Sequence, residues 1–349
     1  MASTNPSENL AAVLESQGAR LKSITRPIPK PGPNEILVRN YAIAANPVDW
    51  KIQDWGFAIK TYPTVLGSDG CGVVTEVGSA VSKFKKGDRV TGFGAVIYKD
   101  DADHGSWQTY TILRDVATTK IPDFMSFEEG SVFPMAMATC AVAFFTCFGI
   151  PLPTSPVTPQ KSGLLVWGAS SSVGTSAIQL ARNLGFKIFA TASPAHHQYL
   201  KSLGVVEVFD YRDPSVVDKI VAAAKIVGTP ISLAFDAITE GKTSKQAADI
   251  LLSSGGNGSK LCLVLDWPGK EPKPEGIEIS QTGAFRTGTD QEEMGKWFFN
   301  EYLEKALQDK SIVAAPKIEI VEGGIGAAQT ALDMVKAGIS GKKIVVKVY

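Results

Sequence analysis

The sequence is poor in the groups that hold metals or close disulfides. Four cysteines, at positions 71, 140, 147 and 262, occur in 349 residues with no Cys-x-x-Cys pair among them. That spacing supplies neither a zinc cage nor a disulfide framework, so the thiols read as reduced groups, and an intracellular, cytoplasmic protein is expected. Charge of one sign is not in excess either, since 35 Lys and Arg balance 35 Asp and Glu. No global field therefore draws the chain to nucleic acid or to anionic lipid. The segment from Met1 to Gly18 lacks the apolar core of a signal peptide, which argues against secretion. The most apolar stretch, Val132 to Ile150, contains Pro134 and several small residues without charged flanks. It reads as a buried core segment, not a membrane span. No repeat of solenoid period occurs.

What is present describes a soluble globular protein, with 44% hydrophobic and 20% charged residues. The length exceeds one ordinary core and suits two domains sharing a cleft. Residues 1–127 read as β-rich, with strands at Glu35–Ala45, Gly72–Val77, Asp88–Gly92 and Ser106–Leu113 between Gly and Pro punctuation. Phe127 to Phe148 fits a long helical segment, and a Pro-rich linker, PLPTSPVTPQKSG, follows it. Strands and helices then alternate. The strands are Leu164–Trp167, Lys187–Thr191, Val206–Asp210, Ile231–Asp236 and Leu261–Leu265; the helices are Val173–Leu184, Ala195–Leu203, Pro214–Ala224 and Ser244–Leu252. Nearly all-apolar strands in this rhythm predict an α/β domain with a parallel sheet covered on both faces. Amphipathic helices around Met294–Gln308 and Gly326–Ala337 and a closing strand, Lys343–Val348, suggest that the chain returns to complete the first domain.

The strongest local signal is the run LLVWGASSSVGTSAIQLARNLG, residues 164–185. A buried strand ends at Trp167, a turn of small residues runs from Gly168 through Ser170 and Ser171 to Gly174, and a helix opens at Ser172 or Val173. Such a turn lets backbone approach a pyrophosphate, whose charge sits on free N–H groups at the positive end of the helix. A serine stands where the middle glycine of G-x-G-x-x-G is common. The strand–turn–helix context points to dinucleotide binding. An acidic residue at the end of the next strand would take the adenine ribose hydroxyls and repel a 2′-phosphate. Here that place reads Thr191-Ala-Ser193, with His196 and His197 close behind and Tyr211 and Arg212 after the third strand. Hydroxyls, imidazoles and a cation in place of a carboxylate predict NADPH.

With these residues in hand, the chain resembles the medium-chain dehydrogenase/reductase superfamily along nearly its whole length. The resemblance is carried by Asn46-Pro-Val-Asp49, Pro63-x-x-x-Gly67-x-Asp69-x-x-Gly72-Val-Val, Gly87-Asp-Arg-Val90, Gly105-Ser-Trp-Gln-Thr-Tyr110 and Lys120-Ile-Pro122. It implies a GroES-like domain, expected over 1–127 and 285–349, and a Rossmann domain over 128–284. The chain is most similar to fungal trans-acting enoyl reductases, which serve polyketide synthases and are similar to quinone reductases. Zinc alcohol dehydrogenases place a Cys and a Gly-His-Glu motif where this chain has Ala45-Asn46 and Gly67-Ser68-Asp69. The structural zinc lobe expected near residues 95–110 is also missing, and His104 reads as a surface or cleft-edge residue. Zinc independence follows from these missing ligand residues.

A chain without that Lewis acid suits an enone, quinone or enoyl thioester better than a plain ketone. The resemblance assigns Lys51 to the nicotinamide-side ribose and Thr139 to the nicotinamide or substrate; these two are the candidate catalytic residues. It places further cofactor contacts at Val48, Asp49, Trp50, Val264, Leu265, Ile344 and Val345. Substrate contacts are expected at Pro134, Met135, Met137, Thr139, Cys140, Ala284, Phe285, Arg286 and Gly288. Cys140 reads as packing, and Tyr62 is a weaker proton-donor candidate. The expected substrate is an unsaturated acyl chain, carrier-tethered or small and free, with a polyketide synthase as the partner in the first case. Two alternatives stand beside it: a quinone or enone reductase working on free small molecules, and a crystallin-like protein that binds NADPH without turnover. The strand near Gly276–Thr282 carries the polar run Glu278-Ile-Ser-Gln281, which predicts a monomer.

Overall fold

The computed structural model describes residues 8–153, 157–269 and 271–349. Part of the polar N-terminal segment (1–7), three residues of the Pro-rich linker (154–156) and Lys270 lie outside these. The chain divides into two compact units, Met1–Ala138 with Phe285–Tyr349, and Thr139–Ala284. The first crossing between them falls inside the helix Pro134–Ala141, eleven residues beyond the 127/128 boundary expected from sequence.

The first unit contains β1 (Asn9–Leu14), β2 (Lys22–Arg26), β3 (Glu35–Ala44), β4 (Thr64–Val65), β5 (Asp69–Val77), β6 (Arg89–Gly94) and β7 (Tyr110–Lys120). The second contributes β8 (Gly163–Trp167), β9 (Lys187–Thr191), β10 (Glu207–Phe209), β11 (Ile231–Asp236), β12 (Ser259–Leu263) and β13 (Ile277–Gln281). The chain then returns to the first unit as β14 (Lys317–Val321) and β15 (Lys342–Lys347).

In the first unit β3 is the hub. It pairs antiparallel with β5, β7 and β15, so the run β3-β5-β6-β7 closes on itself, and β15 and β14 extend it. At the bulge between Asn40 and Ala42 the two backbones meet so closely that a Cβ on Gly72 would lie 1.9 Å from the Arg39 carbonyl oxygen. Only glycine fits there. Ile36, Val38, Val74, Phe84, Val90 and Leu113 fill the closed barrel. A second sheet, β2-β1-β4, packs Leu14 and Val65 with Trp107, Leu332 and Ile344.

Several expectations change here. Ser106–Leu113 is not one strand; the strand starts at Tyr110, because the amides of Ser106 and Trp107 donate to Gly67 and Leu66 instead of extending a ladder. The helical expectation for Phe127–Phe148 resolves into Phe127–Gly130, Pro134–Ala141 and a π-helical stretch Val142–Cys147, since Pro134 cannot continue a preceding helix. Among the described residues Phe127–Cys147 is long and apolar enough to cross a membrane, and 78% of its most apolar window is buried in the fold.

The second unit is a six-stranded parallel sheet in the order β10-β9-β8-β11-β12-β13. Helices Ser172–Asn183, His197–Ser202, Val216–Val227 and Thr243–Ser254 connect successive strands. The order reverses between β8 and β11, and ligands of such sheets bind at the carboxyl ends beside that switch point. Leu165, Phe189, Ile220, Ala234, Leu251 and Leu263 form its core.

Candidate active site

At the carboxyl end of β8, Gly168 turns the chain with φ +72°, a conformation glycine adopts without strain. The Thr191 hydroxyl accepts from Gly168 N (3.1 Å) and its carbonyl from Ala169 N (2.9 Å), which pins the turn to β9. Ser171 caps the following helix, its Oγ accepting from Gly174 N at 3.0 Å. A Cβ on Gly174 would lie 2.5 Å from the Gly168 carbonyl oxygen, so the helix start passes this close to the strand end only as glycine. The first turn of a helix leaves N–H groups without intrahelical acceptors. Beside them the Ser172 hydroxyl is buried and without a hydrogen-bond partner. Free donors, an orphaned hydroxyl and a cradle closed to any side chain fit a dinucleotide pyrophosphate.

The ends of β9 and β10 lie side by side, with Thr191 opposite Phe209. Ser193 and Tyr211 each follow two residues later, so the structure places both predicted phosphate contacts at adjacent strand ends. Ser193 is half-buried and precedes His196 in a short turn, while Tyr211 is exposed. His197 Nε2 hydrogen-bonds the Ala192 carbonyl at 3.0 Å and so holds its own turn. Arg212 pairs with Asp210 (3.0 Å), whose carboxyl it holds below the usual range. Its cation is thus already neutralised within the loop. Val264 and Leu265 lie beyond β12, where Val264 N donates to the Thr239 hydroxyl at 3.2 Å. That loop is organised by Asp236, fully buried, which accepts from the Ile238 and Thr239 amides and from the Thr243 and Ser244 hydroxyls.

Thr139 lies at the start of the second unit, buried, and its carbonyl accepts from Thr282 Oγ1 at 2.7 Å. Its neighbour Cys140 donates from Sγ to the Val173 carbonyl (3.4 Å), which sets this helix end against the dinucleotide turn. Burial pushes the Cys140 thiol far up, consistent with packing. Ala284 closes the second unit, also buried.

In the first unit the helix Pro47–Trp55 follows an Asn-Pro-x-Asp start. Asp49, at the third helical position, accepts from the Asn46 amide at 3.0 Å, closing half of a capping box. The Trp107 indole N–H also reaches Asp49 (3.4 Å). Asp49 is 1% exposed, and burial, reinforced by the Asp69 charge, pushes its carboxyl up to about 7. It is therefore a helix-start and core group, with little surface for a ligand. Lys51 is half-exposed, its ammonium held over the rings of Trp50 (5.7 Å) and Trp55 (5.9 Å). Ile344 and Val345 are fully buried on β15; the Ile344 carbonyl accepts from Ala45 N. Pro134 and Met137 are buried and Met135 half-buried. Phe285 is exposed, Arg286 is paired with Asp290 (2.7 Å), and Gly288 leaves room for the Tyr98 hydroxyl. The Tyr62 hydroxyl is buried without a hydrogen-bond partner. His104 is not a surface residue: it is 4% exposed and bonded to Glu35 at 3.0 Å.

Sequence reasoning missed a buried ionic cluster. Lys343 Nζ donates to Asn46 Oδ1 (2.6 Å) and Asp69 Oδ2 (2.9 Å), and Asn46 Nδ2 donates to the same Asp69 oxygen (2.8 Å). The other oxygen, Asp69 Oδ1, accepts from Met135 N at 2.6 Å, at the start of the helix Pro134–Ala141. The only signal available was a lysine beside the apolar run of the closing strand. Among the described residues no group of three or more His, Cys, Asp and Glu side chains is placed to hold a metal ion.

Residues 32–123 match the alcohol dehydrogenase GroES-like domain family, and residues 172–257 match the zinc-binding dehydrogenase family. The chain is 40% identical to the trans-enoyl reductase TndF of Aspergillus flavipes over 97% of its own length and 99% of the relative's. It is 32% identical to the dehydrogenase OrsE of Emericella nidulans, over 97% and 99% of the two chains. Among solved structures it resembles a putative zinc-dependent alcohol dehydrogenase from Rhizobium etli (TM-score 0.79, 24% identity, 98% and 99% covered). The CurK enoyl reductase superposes with TM-score 0.76 at 19% identity, over 97% and 99% of the chains, a likeness of fold.

Proposed function

The chain belongs to the medium-chain dehydrogenase/reductase superfamily, and on that basis we propose that it is an NADPH-dependent reductase of activated carbon–carbon double bonds, acting in trans as an enoyl reductase for a fungal polyketide synthase. As a member of this superfamily it is an oxidoreductase that uses a nicotinamide cofactor. The observation that supports the finer reading is the Gly168–Gly174 turn followed by a β9 end without a carboxylate, in a chain similar end to end to a trans-enoyl reductase.

NADPH, when bound, supplies a hydride to the β-carbon of the acceptor. The chain's own part is to bind and orient. The helix start at Ser171, Ser172 and Val173 holds the pyrophosphate, and Ser193, His196 and Tyr211 take the 2′-phosphate. Val264 and Leu265 border the cofactor at the end of β12. Lys51, steadied by its two indoles, holds the ribose nearest the nicotinamide, and Thr139 offers a hydroxyl beside the acceptor. Met135, half-buried, lines the acyl chain, while Met137 packs behind it with no exposed surface. Proton delivery to the α-carbon completes the reduction. Reduced thiols and a polar edge strand support a cytoplasmic monomer.

The test is incubation of the purified chain with NADPH and α,β-unsaturated pantetheine thioesters of several chain lengths, followed at the NADPH absorbance. Oxidation of NADPH with formation of the saturated thioester is expected. No oxidation at any chain length sinks the proposal, and faster turnover of free quinones and enones than of thioesters moves the substrate to that class.

A further inference from the structure

The buried cluster around Asp69 is more than a core ion pair, because its two carboxylate oxygens serve two different helices. Asp69 Oδ1 accepts from Met135 N (2.6 Å) and thereby anchors the start of the helix Pro134–Ala141. Asp69 Oδ2 accepts from Asn46 Nδ2 (2.8 Å), at the residue that caps the helix Pro47–Trp55. Lys343, from β15 at the far end of the chain, closes the arrangement by bonding both Asn46 Oδ1 (2.6 Å) and Asp69 Oδ2 (2.9 Å). Asp69 is fully buried, Lys343 is 2% exposed and Asn46 4%. At this burial their geometry is set by the protein partners that surround them. A carboxylate at a helix start is also favoured by the helix dipole.

Such a pair is a weak source of stability, since desolvation of two ions offsets most of their attraction. A lysine otherwise almost never fully buried is better explained by what it orients. Both helices carry residues assigned to binding: Val48, Trp50 and Lys51 on one, Met135 on the other. We propose that Lys343 is a positioning residue, whose ammonium, clamped between Asn46 and Asp69, fixes the starts of the helices Pro47–Trp55 and Pro134–Ala141 in the arrangement that turnover requires. The kinetic part rests on the reductase reading above; the structural part does not.

The test compares wild type, Lys343→Met and the double variant Lys343→Met/Asp69→Asn. The single variant keeps an unbranched apolar stem, one atom shorter than lysine, and leaves the Asp69 charge unpaired; the double variant removes that charge as well. Thermal melting, hydrogen–deuterium exchange of peptides covering 46–52 and 134–140, and kcat and KM are measured on each. The double variant is expected to melt near wild type, because no buried charge is left alone. Its kcat should stay down by roughly a hundredfold, with KM little changed, as for displaced binding elements. Exchange should be faster in those two segments and unchanged elsewhere. Recovery of kcat and exchange together with melting temperature would overturn the proposal, as would a folded Lys343→Met with wild-type kcat. A double variant that does not fold also overturns it, since the pair then carries the fold. If wild type reduces no thioester, the reductase reading fails while the exchange comparison still decides the positioning role.

Discussion

At the scale of single residues the most consequential group is Asp49. Burial first, and the Asp69 charge after it, raise its carboxyl from 3.8 to about 7. The raised value means that the folded chain prefers the protonated acid. Its stabilising contribution is full below the unfolded value, shrinks as pH rises between the two, and is gone above about 7. Wild type should therefore lose melting temperature from about pH 4 to about pH 7 and change little from this group above that. Asp49→Asn, which keeps the shape and an oxygen for the Asn46 amide, should flatten that slope by several degrees, at about 2–4 °C per kcal/mol. Parallel melting profiles for the two chains would contradict the assignment. Asp49 and Lys343 also show why residue roles escaped the sequence. Asp49 stands in a motif that reads as ligand contact, yet its oxygen is occupied by a helix amide. Lys343 stands in a closing strand, where a lysine reads as solvated until the fold turns it inward.

At the scale of elements, legibility followed burial. Lys187–Thr191 and Ile231–Asp236 are expected with the bounds they have, because largely buried parallel strands leave short apolar runs between punctuating residues. The turn Gly168–Gly174 was readable for the same reason, its small residues standing directly after such a run. In contrast β2 (KSITR) is almost wholly exposed and has no apolar face to read, and β1 is apolar but sits in a stretch that reads as a polar terminus. The helix Pro47–Trp55 carried a signal that went unused, an Asn cap, Pro next and Asp at the third position. The end of β9 is the element on which cofactor choice rests. Ser193→Asp places a carboxylate where a 2′-phosphate is proposed. At short range such like charges cost about 1–4 kcal/mol. The ratio of kcat/KM for NADPH over NADH should then fall at least about tenfold. An unchanged ratio would remove Ser193 from the phosphate site.

At the scale of the whole molecule, both family matches and the end-to-end likeness to a trans-enoyl reductase fall on a chain whose first unit is closed by its own last strand. The parallel sheet of the second unit ends at β13, an edge strand. Glu278 and Gln281 are exposed there, and Glu278 is paired with Lys260 at 3.4 Å. Charge on an edge strand opposes pairing with a second copy. Light scattering on the eluted protein should give the mass of one chain, and twice that mass would contradict this reading of the edge. Hydride delivery to the β-carbon without zinc is the step on which the proposed function turns. It is tested most directly by supplying NADPH deuterated at the transferable position to chelator-treated protein with an α,β-unsaturated pantetheine thioester. Full activity after chelation and a single deuterium on the β-carbon of the saturated product are predicted. Deuterium at another carbon, or activity that disappears with the chelator and returns with zinc, would contradict the account.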